Sequence, residues 1–287
     1  MTLIHLFAGQ GSQRVGMGRD LLAAYPNLVR QADSVLGYSV AELCLDGPAE
    51  RLADTRYTQC AVYVVDALAY IDSVRTSGRI PEALAGHSLG EYAALFAAGV
   101  FDFRTGLEIV AKRAELMADA GPGAMSAVIG LGEDRVRALL DSSGLPVDIA
   151  NLNAPDQIVV SGPREAVGEV PALMSGHAQT VVPLRVSGAF HSRSMAPAAR
   201  EFASFLDGYV LARLKIPVIA NTTGRPYDDD IAGTLCRQLH LPVRWSDTVV
   251  HLLGLPDPEF REIGPGNTLT GLTRRIQASL RASVVTA

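Results

Sequence analysis

The chain has 287 residues, of which 48% are hydrophobic and 19% are charged. This length suits two domains or one large domain with an insertion, and the composition supplies a sizeable core, so an intrinsically disordered chain is excluded. The formal net charge is −5 and no basic block is present, which argues against a nucleic-acid partner.

The N-terminal segment and the cysteines indicate the cellular compartment of the protein. The apolar N-terminal segment has no basic stretch before it and is interrupted at Gly9, so a secretory signal peptide is not expected. No apolar run approaches the roughly 20 residues that a membrane span needs. Cys44, Cys60 and Cys236 are widely spaced, which predicts reduced thiols rather than disulfides or metal ligands. We therefore expect a soluble cytoplasmic protein without a membrane partner or a bound metal ion.

Strands and helices are predicted to alternate through the first 120 residues. The apolar run over residues 3–7 predicts a buried strand, and apolar residues at helical spacing over 59–74 predict a long helix. A short strand at 83–85 is followed by a sharp turn and a helical segment at 92–98. A further helix is predicted over 104–119. This order indicates an α/β fold.

The pattern changes near Gly121, where a block with its own rhythm begins. Strands are predicted over 125–131, 157–160 and 179–186, with helices over 133–140 and 164–174. This block predicts a small subdomain, residues 122–190, inserted into a large domain formed by 1–121 and 191–287.

Beyond the block, strand and helix alternate again. A strand is predicted over 216–220 and a helix over 231–239. Two stretches that contain Gly or Pro, 242–245 and 264–266, are expected to end the fold.

The strongest chemical signal is the pentapeptide at 86–90, which is GHSLG and matches G-x-S-x-G. A strand before it and a helix after it place Ser88 on a sharp turn. Its hydroxyl would then lie at the N-terminus of the helix, where main-chain N–H groups can hold an oxyanion. The alternative is a serine that only caps this helix. The flanking strand and helix favour a nucleophile.

A serine nucleophile needs a base, and the chain has six histidines. His5 lies in the first apolar strand and is expected to be a hydrogen-bonded core residue. His87 adjoins the serine, but its side chain should leave the turn on another side. His191 lies in a loop of small residues after a predicted strand and follows the serine in the chain, as in hydrolases of this type. The others, which have no distinguishing feature, are His177, His240 and His251. The residues alone favour His191 without excluding the rest.

Arg113 lies in the middle of the apolar half of its predicted helix, together with Leu107, Val110 and Met117, when successive residues are placed about 100° apart. A buried guanidinium is costly unless it is paired, and its planar fork suits a carboxylate. Two interpretations stay open at this point. Arg113 forms a structural salt bridge to an acid of the protein, or it binds a substrate carboxylate near Ser88.

The glycine-rich segment 9–18 was weighed as a dinucleotide-binding loop. Its spacing is G-x-G-x-x-x-x-G rather than G-x-G-x-x-G. A tight turn that presents main-chain N–H groups beside the serine explains these glycines better. His87 and Glu91 do not form an H-E-x-x-H motif, and no other spacing typical of a metal site appears, so no metal ligand is assigned.

Together these features resemble the malonyl-CoA:acyl carrier protein transacylase family, and the resemblance extends over nearly the whole chain. It implies an α/β-hydrolase-like large domain with an inserted ferredoxin-like small subdomain. It rests on Arg113, which follows Ser88 by twenty-five residues, and on GQGSQ at 9–13, GHSLGEY at 86–92, NLNAP at 151–155, GAFHS at 188–192, RQL at 237–239 and EIGPG at 262–266.

The resemblance implies a catalytic role for individual residues. Ser88 corresponds to the acylated nucleophile and His191 to its base, with Gln238 holding the imidazole through an amide carbonyl in place of a carboxylate. The main-chain N–H groups of Gln10 and Leu89 would form the oxyanion hole. The implied reaction is ping-pong transfer from malonyl-CoA, through an ester on Ser88, to the phosphopantetheine thiol of an acyl carrier protein, without a bound cofactor.

The resemblance also implies how the substrate is chosen. Arg113 would bind the free carboxylate of the malonyl group, and Asn151 and Asn153 would line the cleft. Ala8 stands where the family usually has proline, which affects only the stiffness of the turn. The GAFHS sequence that contains Phe190 resembles that of the malonyl-selecting acyltransferases of polyketide synthases. The ring of Phe190 would fill the space that an α-methyl branch needs. This predicts a discrete enzyme that serves a polyketide assembly line in trans.

Three alternatives were weighed against this interpretation. They are a malonyl transacylase of fatty-acid synthesis, an acyl hydrolase that clears stalled acyl carrier proteins, and a non-catalytic module that docks to carrier proteins. The buried cation at Arg113 argues against the hydrolase, because an uncharged acyl chain gains nothing from it. The set of Ser88, His191, Gln10 and Gln238 argues against the non-catalytic module.

Overall fold

A computed structural model describes residues 1–285, which form nine strands and thirteen α-helices. None of the helices in this part of the chain is long and apolar enough to cross a membrane. In chain order the elements are β1 (Thr2–Phe7), α1 (Arg19–Ala24), α2 (Pro26–Leu36), α3 (Val40–Asp46), α4 (Ala49–Ala53), α5 (Thr55–Ser77), β2 (Ala83–Gly86), α6 (Gly90–Ala97), α7 (Phe103–Asp119), β3 (Ala124–Ile129), α8 (Glu133–Ser143), β4 (Asp148–Ala154), β5 (Gln157–Gly162), α9 (Arg164–Leu173), β6 (Thr180–Pro183), α10 (Ala196–Leu206), β7 (Val218–Ala220), β8 (Arg225–Pro226), α11 (Ile231–Gln238), α12 (Trp245–Leu253), β9 (Pro258–Ile263) and α13 (Thr268–Val285).

The larger sheet has five strands in the order β8-β7-β2-β1-β9. Strands β7, β2, β1 and β9 are parallel to their neighbours, and β8 pairs antiparallel with β7 at one edge. The carboxyl ends of the parallel strands therefore meet at one side of the sheet, which is where α/β proteins place their sites. Ala8, His87 and Asn221 are the first residues after β1, β2 and β7.

The smaller sheet has four strands in the order β4-β5-β3-β6, and every neighbouring pair is antiparallel. Helices α8 and α9 complete a β-α-β-β-α-β sequence, which defines a ferredoxin-like unit. The predicted α/β fold, a hydrolase-like large domain with a ferredoxin-like small subdomain, is confirmed. The domain boundaries at 121/122 and 190/191 stay predictions.

Two parts of the sequence-based assignment are wrong. The assignment omits β4, whose pairing with β5 shifts register twice, so that the regular alternation of buried and exposed residues is broken. The expectation that stretches 242–245 and 264–266 end the fold also fails. Helix α12 begins at Trp245, and β9 and α13 lie on either side of 264–266.

Helix α5 runs through the interior of the large domain and packs against α6 and α7. Its side chains from Thr58 to Leu68 are all buried. A helix buried on all sides must carry any polar residue of its sequence into the core. Gln59 and Asp66 are therefore interior polar groups, and Gln59 contacts a residue of the site described below.

His5 is fully buried in β1, as expected for a core residue. Neither of its ring nitrogens has a hydrogen-bond partner within residues 1–285, so the expected hydrogen bond is absent there. Burial, with a smaller contribution from Arg261, lowers the pKa of His5 to about 4. The ring is thus neutral, which reduces the cost of burying it.

Strand β4 is attached to the large domain at its middle and at both ends. Val243, just before α12, receives a hydrogen bond from the N–H of Leu152 at 2.9 Å and donates one to the carbonyl oxygen of Ala150 at 2.8 Å. Arg193 pairs with Asp148, the first residue of the strand, and Arg275 pairs with Asp156 in the turn that follows it. These contacts fix the strand that carries Asn151 and Asn153 beside the larger sheet.

Candidate active site

Ser88 lies on the turn between β2 and α6 with φ of 53°, in the left-handed region. Two glycines make this turn possible. A Cβ on Gly86 would lie 1.9 Å from the carbonyl carbon of Gly90, and a Cβ on Gly90 would lie 2.0 Å from the carbonyl oxygen of Phe7. The side chain of Asn221 accepts the N–H of Ser88 at 2.7 Å and donates to the carbonyl oxygen of Gly86 at 2.6 Å. The turn is thereby held in the strained form of a nucleophile elbow.

The structure brings His191 to Ser88 although 103 residues separate them, with 2.7 Å between the imidazole Nε2 and the serine Oγ. The Nδ1 of His191 lies 2.8 Å from the main-chain carbonyl oxygen of Gln238. A carbonyl oxygen can only accept, so Nδ1 carries the proton and Nε2 is free to accept the proton of the serine hydroxyl. The amide carbonyl expected from Gln238 is therefore that of its main chain, and its side chain makes other contacts.

Burial lowers the pKa of His191 to about 3, with a further contribution from the positive charge of Arg113. The imidazole is therefore neutral at physiological pH and is available as a base. A main-chain carbonyl stabilises an imidazolium less than a carboxylate does, because it carries no full charge. His191 is thus a weak base until the charges around it change.

Arg113 projects from α7 into the site and is 1% exposed. Its Nη2 donates to Ser88 Oγ at 3.1 Å and to the side-chain oxygen of Gln238 at 2.9 Å. Its Nη1 donates to the side-chain oxygen of Gln59. The ring of Tyr92 lies 5.2 Å from the guanidinium carbon, close enough for a cation–π contact. All of these contacts to the guanidinium are therefore made by uncharged groups.

No carboxylate within residues 1–285 forms an ion pair with Arg113, and its Nε has no hydrogen-bond partner there. Within residues 1–285, a salt bridge to an acid of the protein therefore does not compensate for the burial of Arg113. Burial lowers the pKa of the guanidinium, but an arginine stays charged in proteins. A buried cation beside Ser88 Oγ, without an anionic partner in direct contact, is suited to an anionic substrate.

A cavity of about 100 Å³ opens at Ser88 and His191, with Arg113 at its polar end. The ring of Phe190 packs against Gly188, where a Cβ would lie 2.5 Å from a ring carbon. One buried cation in a small apolar cavity fits a short acyl group that ends in a carboxylate. The apolar walls come from Met117, Met125, Leu184, Val186 and Phe190.

Asn151 and Asn153 on β4 have different surroundings. Asn151 lines this cavity, and its side-chain oxygen is buried with no hydrogen-bond partner within residues 1–285. Asn153 lines a neighbouring cleft, and its side-chain oxygen lies 2.8 Å from Nε2 of His87. The His87 ring also packs against Trp245, with 5.4 Å between ring centroids. The expectation that His87 points away from the hydroxyl of Ser88 is confirmed.

The glycine turn after β1 lies against the nucleophile turn. A Cβ on Gly9 would lie 2.3 Å from the carbonyl oxygen of His87 and 3.6 Å from the main-chain nitrogen of Leu89. Gln10 lines both the cavity and the neighbouring cleft, and its side chain donates to Thr55 at 3.1 Å. The turns that carry Gln10 and Leu89 are therefore in contact, which an oxyanion hole shared between them requires.

The sequence analysis missed four polar residues that support the site. Asn221 directly follows a predicted strand, and a residue at the carboxyl end of a parallel strand is a recognisable site position. Glu91 stands within the GHSLGEY segment, three residues after the serine. Gln59 directly precedes the apolar run of α5, where a polar side chain enters the core. Tyr227 lies in a loop without any such signal.

An elbow serine, a neutral imidazole and a buried arginine beside an α/β sheet form the kind of arrangement that serine-dependent acyl transfer requires. The chain matches the family model of the acyl transferase domain over residues 4–275. It is 46% identical to the polyketide biosynthesis malonyl CoA-acyl carrier protein transacylase BaeC of Bacillus velezensis, over 98% of this chain and 99% of that protein. It therefore belongs to the acyl transferase family, as the motifs indicated.

Two further relatives agree with this assignment. The malonyl CoA-acyl carrier protein transacylase of Escherichia coli K12 is 37% identical, over 98% of this chain and 94% of that protein. A crystal structure of malonyl CoA-acyl carrier protein transacylase from Burkholderia pseudomallei superposes with a TM-score of 0.94 at 44% identity. That superposition covers 97% of this chain and 98% of the other.

Proposed function

We propose that this chain is a malonyl-CoA:acyl carrier protein transacylase that serves a polyketide assembly line in trans. The observation that carries the proposal is the position of Arg113. Its guanidinium is buried, has no carboxylate partner within residues 1–285, and lies 3.1 Å from the nucleophilic oxygen of Ser88. Only an acyl group whose carboxylate lies a short distance from its carbonyl can contact Arg113 and Ser88 together. In malonyl, one carbon separates the carboxylate from the thioester carbonyl.

In the first half-reaction Ser88 Oγ attacks the thioester carbonyl carbon of malonyl-CoA. The hydroxyl proton passes to Nε2 of His191, and the N–H groups of Gln10 and Leu89 hold the oxyanion of the tetrahedral intermediate. The carbon–sulfur bond then breaks, and the imidazolium returns its proton to the CoA sulfur. A malonyl ester remains on Ser88.

Binding of the malonyl carboxylate would also strengthen the base. Arg113 lowers the pKa of His191 through its positive charge, and a bound carboxylate offsets that charge. The imidazole therefore accepts a proton more readily when the correct substrate is present. This supports a site that acylates with malonyl in preference to neutral acyl groups.

In the second half-reaction the phosphopantetheine thiol of an acyl carrier protein attacks the ester. His191 takes the thiol proton and returns it to Ser88 Oγ as the ester bond breaks. All these steps use side chains and main-chain N–H groups of the chain, and none calls for a cofactor. Coenzyme A thioesters and carrier proteins of this kind are used in the cytoplasm, and we infer that location.

The polyketide assignment is supported by two observations. The chain is 46% identical to BaeC and 37% identical to the Escherichia coli enzyme. Phe190 within GAFHS lines the acyl cavity, and the GAFHS sequence resembles that of malonyl-selecting acyltransferases of polyketide synthases, so we infer that its ring excludes an α-methyl branch. We therefore expect malonyl to be transferred in preference to methylmalonyl.

Transfer to a carrier protein tests the proposal. The purified chain is incubated with malonyl-CoA and a phosphopantetheinylated carrier protein, and the mass of the carrier is followed. We expect malonyl-carrier to form, and to be absent with the apo-carrier or with Ser88→Ala. Release of free malonate without any malonyl-carrier would instead indicate an acyl hydrolase.

A further inference from the structure

Glu91 is a fully buried carboxylate behind the nucleophile, on the first turn of α6. Its Oε1 accepts the N–H of Asn221 at 3.1 Å and the hydroxyl of Tyr227 at 2.6 Å. Its Oε2 accepts the side-chain N–H of Gln238 at 2.6 Å. The reaction steps above make no use of this group.

Gln238 connects Glu91 to both Arg113 and His191. Its side-chain nitrogen, held by Glu91, also donates to the carbonyl oxygen of Ser88 at 2.8 Å. With the nitrogen fixed in this way, the side-chain oxygen must face Arg113. It accepts a hydrogen bond from Nη2 of Arg113 at 2.9 Å. The main-chain oxygen of the same residue holds Nδ1 of His191. One residue therefore aims the carboxylate-binding cation and orients the base.

An ionised carboxylate satisfies this arrangement fully, because both of its oxygens accept and donors face each of them. A glutamine at position 91 has one accepting and one donating end. If the side-chain nitrogen of this glutamine faces Asn221, it lies opposite the main-chain N–H of Asn221, and both groups are donors. If its nitrogen faces Gln238, that amide must flip and present its own nitrogen to Arg113. Either orientation leaves a buried donor opposite another donor.

We propose that Glu91 is a positioning residue for the malonyl-binding arginine. It fixes the side-chain amide of Gln238, and through it the guanidinium of Arg113, in the orientation that receives the substrate carboxylate. Its negative charge also balances the buried guanidinium from the far side of the amide. This role deepens the proposed function and rests on it.

The test compares Glu91→Gln with the wild-type chain in the rate of Ser88 acylation by malonyl-CoA and by acetyl-CoA. An acetyl group has no carboxylate for the guanidinium to bind, so the ratio of the two rates isolates the contact between Arg113 and the malonyl carboxylate. Hydrogen bonds to charged groups are worth about 1.5–3 kcal/mol, so we expect the malonyl-to-acetyl ratio to fall by about tenfold or more. An equal loss of both rates, or no change in the ratio, would overturn the proposal.

Tyr227→Phe is the matched control, because it removes one donor to the same carboxylate and leaves the Gln238 contact in place. We expect it to keep the wild-type ratio within about threefold, which corresponds to well under 1 kcal/mol. A fall as large as that of Glu91→Gln would assign the effect to general packing around position 91 and would overturn the proposal.

A measurement on the wild-type chain keeps the test decisive if Glu91→Gln does not fold. Burial raises the pKa of Glu91 to about 7, while Tyr227, Gln238, Asn221 and the charge of Arg113 act to lower it. Of the titratable and charged groups that face it, Tyr227 and Tyr92 stay neutral and Arg113 stays charged in this range. The malonyl-to-acetyl ratio should therefore fall as the pH drops below about 7. A flat ratio from pH 5 to 8 contradicts the proposal, whereas a wild-type chain that is never malonylated contradicts the proposed function instead.

Discussion

Two buried carboxyl groups of the large domain show how different surroundings separate their roles. Glu91, behind the nucleophile, accepts hydrogen bonds from three neighbours. Asp66, on α5 beneath the loop after β9, has no partner within residues 1–285 for either oxygen. Burial raises the pKa of both groups, that of Glu91 to about 7 and that of Asp66 well above its usual range.

Hydrogen-bond donors, more than depth of burial, therefore decide which of these buried acids can carry charge. Three donors and the nearby Arg113 offset the desolvation of Glu91, so this residue can act electrostatically on the site. Asp66 has no such compensation, so burial favours its neutral form and leaves it a role in packing. The packing is tight, since a Cβ on Gly264 would lie 1.8 Å from an Asp66 oxygen.

The largest effect is expected from removing the cation that Glu91 faces. Arg113→Ala should lower malonyl transfer by more than about a hundredfold, because a buried charge pair with the substrate carboxylate is worth roughly 3 kcal/mol or more. Acetyl transfer should be kept or increased, since the released space and the higher pKa of His191 both help a neutral acyl group. Rates with the two CoA thioesters measure this, and an equal loss of both would make Arg113 structural.

The next effect concerns Asp66 and is one of stability. The folded-state pKa of Asp66 is raised above the value of about 4 that it has in an unfolded chain. The unfolded state therefore loses its proton first, and the free energy of unfolding falls as the pH rises above about 4 until the folded-state pKa is passed. Asp66→Asn removes this dependence and should raise the free energy of unfolding at pH 8 by about 1–2 kcal/mol.

Urea denaturation at pH 5 and pH 8 measures the Asp66 effect. The stabilisation by Asp66→Asn should be larger at pH 8 than at pH 5. The same difference at both pH values would show that Asp66 is not protonated in the folded state. Malonyl transfer should be unchanged, because Asp66 touches none of the reacting groups.

The smallest effect is expected at Gln59, which supplies one of the neutral oxygens around the guanidinium. Gln59→Ala removes one hydrogen bond from Arg113 and leaves those to Gln238 and Ser88 in place. We expect malonyl transfer to fall by about three- to tenfold and acetyl transfer to change little, as befits a loss of about 1 kcal/mol. A loss as large as that of Arg113→Ala would show that Gln59, rather than Gln238, fixes the guanidinium.

Several parts of the site could be predicted because their signals are local. The G-x-S-x-G turn between a strand and a helix identifies Ser88, and the helical position of Arg113 shows that a charge faces the interior. The packing glycines Gly86 and Gly90 belong to the same short motif. For His191 the residues alone left the choice among histidines open, because its distance from the serine depends on the tertiary fold.

Other parts depend on contacts between distant segments and gave little signal. Nothing local shows that Glu91 meets Tyr227, or that Asn221 holds the nucleophile turn, since 133 residues separate Asn221 from Ser88. Strand β4 was missed for a related reason. Its register shifts, and its asparagines line the cleft. Both features break the alternation of apolar and polar residues by which a strand is recognised.

In the proposed mechanism, Ser88 is acylated by malonyl because Arg113, held through Gln238, receives the carboxylate. Intact-mass spectrometry after brief exposure to malonyl-CoA, acetyl-CoA or methylmalonyl-CoA tests it most directly, with Ser88→Ala as the control. We expect a single malonyl group on Ser88, with little or no adduct from the other two thioesters. No malonyl adduct, or equal acylation by acetyl-CoA and malonyl-CoA, would contradict the account.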